Sequence, residues 1–211
     1  MYSLFRWFYF FPYRCTTRLT AWRLRYLGVD FSPDEDRRFP TNVGHGYQPI
    51  YDATFRNGIK KLPIPVKDIK LIDGGCGKGA ALFFAKRMGI PKVGGVDLAE
   101  DLCAICRKNM LALGYRDIEV IHKDVTHLKN ELDDYNVFYM YNPFPAEPMR
   151  AFMRSIAESA HRIPRTIYVI YHFPLYADVC LEEGFVVLKE FVTQTYFGPD
   201  KSSLILEYQV R

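Results

Sequence analysis

The sequence predicts an α/β domain of three layers: a mainly parallel sheet, covered by helices on both faces and closed by an antiparallel C-terminal hairpin. Two observations carry that expectation. From Ile69 to Glu183, short apolar runs alternate with amphipathic runs of helix length. That is the pattern of strand–helix–strand units building a parallel sheet. Beyond residue 184 the alternation stops. Phe185–Thr193 and Ser203–Val210 are both strand-like, and the polar connection between them carries Gly198-Pro199-Asp200 and no helix. Two successive strands without a crossover helix run antiparallel.

Composition sets the outer limits. With 211 residues the chain fits one domain plus an extension, and 49% apolar residues supply a core large enough to rule out wholesale disorder. The net charge of +4 permits contact with nucleic acid or an anionic surface without arguing for either. The five cysteines (Cys15, Cys76, Cys103, Cys106, Cys180) are odd in number and scattered, a poor disulfide framework that fits a reducing cytoplasm. Cys103 and Cys106 make a single CxxC, read as two small hydrophobes on a helix face with Leu102, Ile105 and Met110; no metal site is expected. No run approaches the ~20 apolar residues of a membrane span. Met1–Tyr13 is aromatic but interrupted by Arg6 and lacks the form of a signal peptide.

Residues 1–46 read as an N-terminal extension and 47–211 as the main domain. Residues 1–29 interleave aromatics with five arginines (Arg6, Arg14, Arg18, Arg23, Arg25) and no acid. This is either an arm that touches a partner or membrane surface, or a helical cap that buries its aromatics and solvates its arginines. The spread of the arginines favours the cap. Residues 30–46 are rich in turn formers and read as loop. A helix is expected from Gln48-Pro49, with Pro49 in the first turn, to Asn57-Gly58 as its stop. Pro63 and Pro65 then lead into the sheet. Its elements read as strand Ile69–Asp73, helix Lys78–Met88, strand Lys92–Asp97, helix Ala99–Leu113, and strands Ile118–His122 and Asn136–Tyr141. The amphipathic helix Glu147–Arg162, strand Thr166–Tyr171 and a short helix around Leu175–Glu183 follow.

In an open parallel sheet, ligands bind beyond the carboxyl ends of the strands. Those ends carry Asp73 with Gly74-Gly75-Cys76-Gly77-Lys78-Gly79, then Asp97, then Asp124, then Asn142-Pro143-Phe144-Pro145. Glycines allow close backbone approach to a ligand and expose N–H groups where a helix begins. Gly75-x-Gly77-x-Gly79 is tighter than the GxGxxG of nicotinamide sites, but Gly75-x-Gly77-x-x-Ala80 can be read in the same string, so spacing alone does not choose. Asp97, at the end of the next strand, can accept hydrogen bonds from both hydroxyls of a ribose; the alternative is a helix cap before Ala99.

On these residues the chain resembles the class I, Rossmann-like methyltransferases that use S-adenosylmethionine (SAM). The match lies in Leu71–Gly79, Gly95-Val96-Asp97-Leu98, Lys123-Asp124-Val125 and Asn142-Pro143-Phe144, and runs in motif order over residues 47–210. It looks closest to small bacterial members with Tyr-x-Pro before the loop (Tyr47-Gln48-Pro49) and a fourth strand ending Tyr-Asn-Pro-Phe. The resemblance implies SAM as cofactor, its methionine part cradled by the loop Gly74, Gly75, Cys76, Gly77 and Gly79. Asp73 would order that loop or meet the ammonium group. Asp97 would hold the ribose, Leu98 would pack on the adenine, and Asp124 would accept from the adenine amino group beside the Val125 backbone. Tyr47, Gln48 and Tyr51 could close over the methionine end. For Asp124 the alternative is the N-cap of a helix near Thr126.

Methyl transfer from a sulfonium relies mainly on aligning the acceptor in a dry site. Asn142 offers an amide, Pro143 a backbone carbonyl and Phe144 a stacking face. The trio resembles the Asn-Pro-Pro-Tyr/Phe segment of methyltransferases acting on planar nitrogens, with the second proline and the aromatic exchanged here. The expected acceptor is an amine or amide, foremost a protein side chain, with adenine N6 of a nucleic acid as the alternative; a strand-terminating turn is the structural one. His172 could line the site as a base or serve in a turn. Two readings of other classes stay open: a nicotinamide-dependent oxidoreductase, for which no Tyr-x-x-x-Lys follows the fourth strand, and a non-catalytic SAM-binding module.

Overall fold

The computed structural model describes residues 24–34, 47–193 and 201–210, the side chain of Lys201 excepted. Most of the aromatic-basic arm, Cys15 and the Gly198-Pro199-Asp200 connection lie outside them. The elements are α1 (Asp52–Ile59), β1 (Lys70–Gly74), α2 (Ala80–Arg87), β2 (Lys92–Asp97), α3 (Glu100–Ala112), β3 (Glu119–His122), β4 (Val137–Tyr141), α4 (Ala146–Arg162), β5 (Ile167–His172), α5 (Ala177–Glu182), β6 (Val186–Thr193) and β7 (Lys201–Tyr208). The strands form a seven-stranded sheet in the order β3-β2-β1-β4-β5-β7-β6. The first five are parallel; β7 pairs antiparallel with both β5 and β6. No helix among the described residues is long and apolar enough to cross a membrane.

The architecture follows from the pattern of apolar residues. All six residues of β5 and four of the five in β4 are buried, as central strands covered on both faces require. One face carries Phe138, Met140, Val169 and Tyr171 against α4 and α5. Its main support is the α4 stripe Met149, Phe152, Met153, Ile156 and Ala160, with every member at 0% exposure and the larger side chains contributing about 1.5–3 kcal/mol each. The other face carries Tyr139, Tyr168 and Ile170 against α1, α2 and α3. The hairpin inserts its second strand, not its first, beside β5. That leaves β6 at the edge with Val186, Val187, Leu188 and Val192 exposed.

Two expectations for the first helix are corrected. It begins at Asp52, not at Gln48-Pro49, because Tyr47 is held extended by a bridge to Asp34 and the chain stays extended through Tyr51. Gly58 does not stop it. The helix passes through Gly58 to Ile59, and a β-carbon there would lie 2.9 Å from Ile170 Cγ2. Gly58 is small because the helix lies against β5 at that point.

The C-terminal end of α4 is fastened by one side chain. Arg165 donates from Nε to the Tyr135 carbonyl, from Nη1 to the carbonyls of Ser159 and Ile163, and from Nη2 to the Leu132 carbonyl and Ser159 Oγ. A planar fork can serve helix-end carbonyls and the β4 approach together, where an ammonium cannot. Arg165→Ala is expected to cost about 2–4 kcal/mol. It should appear as a lower urea midpoint with an unchanged slope, and Arg165→Lys should recover less than half of the loss.

Candidate active site

Strand order reverses between β2 and β4 on either side of β1, and a small cleft opens beyond that point. Its walls include Tyr47, Gln48, Asp73, Gly75, Tyr139 and Tyr141.

The glycine loop between β1 and α2 turns three times through positive φ, at Gly75 (86°), Gly77 (52°) and Gly79 (88°). At Gly75 and Gly77 side chains are excluded twice over. A β-carbon at Gly75 would lie 2.6 Å from Pro143 Cβ, and one at Gly77 would lie 2.1 Å from Tyr47 Cδ2. The loop amides, expected from the sequence to face outward, are directed inward instead. Gly75 N and Cys76 N donate to the Val96 carbonyl at 2.9 and 3.0 Å, and Gly79 N donates to the Cys76 carbonyl at 2.9 Å. Gly77 N donates to Asp97 Oδ2 at 2.8 Å. The glycine α-carbons themselves are covered by Pro143 at Gly75, Tyr47 at Gly77 and Cys106 at Gly79. Lys78 does not face the cleft as a phosphate-binding lysine would; its Nζ meets Asp30 Oδ2 at 2.8 Å.

Asp97 makes a turn before Ala99, which is itself the N-cap of α3, and it does more. Its Oδ1 accepts from Ala99 N at 2.9 Å while Oδ2 holds Gly77, so one carboxylate ties the end of β2 to both the loop and the start of α3. Asp73 is different. It is 5% exposed and, among the described residues, no donor reaches its carboxylate. Burial first, and the nearby Asp97 charge second, push its pKa up to about 8. Between the expected roles for Asp73, ordering the loop falls instead to Asp97 and Val96. The pKa also fixes a sign: from about pH 4 to about pH 8 the folded chain holds a proton that the unfolded chain has released, so this group makes stability fall as pH rises.

Other expected residues take varied places. Tyr47 lies across Gly77 with its hydroxyl buried and unpaired, and Gln48 is exposed on the rim. Cys76 is buried against Gly95, Gly74 against Phe152. Leu98 is 39% exposed, available to a flat ligand. Asp124 caps the short 3₁₀ turn Val125–His127, with Oδ1 accepting from Thr126 N and Oγ1; Val125 is 5% exposed and packs in the core. Asn142 ends β4 at φ 44°, a left-handed conformation Asn tolerates, and its buried Oδ1 has no partner. Pro143 covers Gly75. Phe144 is a correction: its ring packs edge-on against Phe152 at 5.8 Å and belongs to the core, so its face is not turned to an acceptor.

His172 is neither a turn residue nor a base at the site. It is the last residue of β5, wholly buried, with Nδ1 bonded to Ser203 Oγ at 2.8 Å and Thr193 Oγ1 at 3.1 Å. Burial lowers its pKa to about 3, so it stays neutral. Cys103 and Cys106 are both buried on α3, as the apolar-face reading expects. Two groups escaped the sequence reading. Tyr139, on β4, has a buried hydroxyl without a partner and lines the cleft with Asp73. Its position within a plain apolar run gave no signal. Asp30 was read as a turn former, and its contact with Lys78 spans 48 positions of sequence.

Comparison with known proteins agrees with this geometry. Residues 71–162, a little under half of the chain, match the family model described as a methyltransferase domain. No curated protein sequence matches. Among solved structures, TrmN from Thermus thermophilus is 17% identical with a TM-score of 0.56, covering 75% of this chain, which spans about half (47%) of TrmN. The ribosomal protein L11 methylase from Lactobacillus delbrueckii subsp. bulgaricus is 14% identical, TM-score 0.55, covering 75% of this chain and 77% of its own. Magnesium protoporphyrin IX methyltransferase (ChlM) from Synechocystis PCC 6803, solved with bound SAM, is 19% identical, TM-score 0.51, covering 74% and 76%. The chain thus has the class I, Rossmann-like methyltransferase fold, with the methyltransferase-domain pattern carried by residues 71–162.

Proposed function

We propose that the protein is a SAM-dependent methyltransferase that transfers the methyl group to an amine or amide nitrogen, foremost of a protein side chain. The observation that carries the cofactor is Asp73. A buried carboxylate without a donor, facing a cleft at the switch in strand order, is costly unless a cation completes it. SAM supplies an ammonium group for that carboxylate and, at its sulfonium, the methyl group to be transferred. The residues around it fit such a ligand. Asp97 stands at the end of β2 for the ribose hydroxyls, exposed Leu98 offers the adenine a face, and Asp124 stands at the end of β3 for the adenine amino group. Gly75, Cys76 and Tyr47 line the cleft where the methionine part would lie.

For the acceptor, support comes from Asn142. Its unpaired, buried Oδ1 is an acceptor placed at the end of β4, next to the loop, and would align an N–H group behind the methyl. Solved proteins of this fold have quite different acceptors by name, a ribosomal protein and a magnesium porphyrin among them, so the fold itself does not select one. Adenine N6 is the alternative acceptor. Phe144, packed in the core, offers no stacking face for a base, which favours the amine.

Calorimetric titration with SAM should show binding in the micromolar range that weakens at least tenfold in Asp97→Ala; absence of binding to the wild-type chain would sink the cofactor assignment. At pH 6–7 the free Asp73 is mostly protonated and the ligand ammonium is charged, so binding should release close to one proton and tighten as pH rises toward 8. The check is the enthalpy in buffers of different ionisation enthalpy: it should differ between buffers for the wild type and not for Asp73→Asn.

Asn142→Gly should raise stability by about 1 kcal/mol, since glycine relieves the positive φ and an unpaired buried oxygen disappears. The same variant should lose label transfer from methyl-labelled SAM to fractionated lysate. Label on the wild-type product that survives nuclease and vanishes with protease supports a protein acceptor; the reverse result points to nucleic acid. SAM binding with no transfer to any fraction would mark a non-catalytic module.

A further inference from the structure

Residues 30–34 read from sequence as part of a loop outside the domain, yet the structure fastens them to the glycine loop at two places. The first is built by Asn109 of α3, 1% exposed. Its Oδ1 accepts from Asp30 N at 2.9 Å, and its Nδ2 donates to the Asp30 carbonyl at 2.7 Å and to the Lys78 carbonyl at 2.9 Å. The Lys78 ammonium then crosses to Asp30 Oδ2 at 2.8 Å and Ser32 Oγ at 3.1 Å. The second is the bridge in which Asp34 N donates to the Tyr47 carbonyl at 3.0 Å, holding the Tyr47 ring across Gly77.

We infer that Asp30 and Asn109 are positioning residues for the cofactor loop, so that segment 30–34 is an outer wall of the active site. The inference rests on SAM being the ligand of that loop. The physical reason is the loop's own freedom. Three glycines at positive φ give it a large conformational entropy to lose. The inner ties from Val96 and Asp97 fix Gly75, Cys76 and Gly77, but leave the Lys78 peptide to be fixed from outside. Asn109 does that with a side chain whose acceptor and donor both read backbone, and no apolar residue can replace it. Lys78, nearly buried, needs an anion, and Asp30 supplies it. The hydrogen bonds from Lys78 and Ser32 outweigh the opposing effect of burial and hold the Asp30 carboxyl below its ordinary range. With the Lys78 peptide fixed, the part of the loop that lines the cleft, Gly75 and Cys76, meets the ligand without reordering at the moment of binding.

The test compares the full-length wild type with Asp30→Ala, Asp30→Glu and Asn109→Ala. Two quantities are read: affinity for S-adenosylhomocysteine, and amide hydrogen exchange without ligand. Asp30→Ala should weaken binding about tenfold, the loss of one charge-assisted hydrogen bond. It should speed exchange at residues 77–80 while β1 and β4 exchange as in the wild type, and Asp30→Glu should restore affinity to within about threefold. Wild-type affinity in Asp30→Ala, or unchanged exchange at 77–80, overturns the inference. Asn109 is in the core and its variant can unfold; the Asp30 side chain is 46% exposed, so the Asp30 pair decides the matter alone. Because exchange is read without ligand, a wild-type chain that binds no S-adenosylhomocysteine sinks the cofactor reading, and the wall is then judged on exchange.

Discussion

The tie between the end of β2 and the glycine loop is the constraint on which the site depends. Three amides of the loop that follows β1 fold back onto the neighbouring strand, two onto the Val96 carbonyl and one onto the Asp97 carboxylate. This is possible because β1 and β2 are parallel and in register through Gly74↔Val96, so both strands end at the same height. The positive φ values at Gly75, Gly77 and Gly79 are the geometric consequence of that return. From it follow the orientation of α2, the approach of Pro143 and Tyr47 to the loop, and the place of Asp73 under the cleft.

The costly features of the chain gather at the same edge of the sheet. Asp73 and Asp97 are two buried carboxylates close enough to raise the pKa of the first. Asn142 and Phe173 adopt positive φ at the ends of β4 and β5. Tyr47, Tyr139 and Asn142 each bury a polar atom without a partner. Elsewhere the central strands are buried on both faces, and the register shift of β6 between Val187 and Lys189 lies at the far edge of the sheet. Strain and unpaired polarity concentrated at one end of an otherwise consistent fold is the distribution expected when those groups serve a ligand.

How much was legible in the sequence depended on the range of the interaction involved. Asp97 was found because a carboxylate at a strand end, just after a glycine loop, is a local pattern; so was the cap at Asp124, which reaches only to Thr126. Phe144 was expected to offer a stacking face, but its ring is buried against Phe152 of α4, a contact between layers that no local pattern records. Gly58 was read as a helix stop because glycine commonly ends helices. Its actual cause, the closeness of Ile170, lies 112 positions away. His172 was placed in a turn by the Phe173-Pro174 that follows it, whereas pairing with β7 extends β5 through it.

The sequence by itself determined the alternation of strands and helices, the antiparallel ending, the glycine loop and the acids at the strand ends. Each is written in periodicity or in residues a few positions apart. Only the tertiary structure decided that β7 lies inside β6, that the loop amides turn inward, that no donor among the described residues reaches Asp73, and that Asp30 and Asn109 bond to Lys78. Those depend on hydrogen bonds and contacts between residues tens of positions apart. Their formation is fixed by how the layers stack, which no local pattern records.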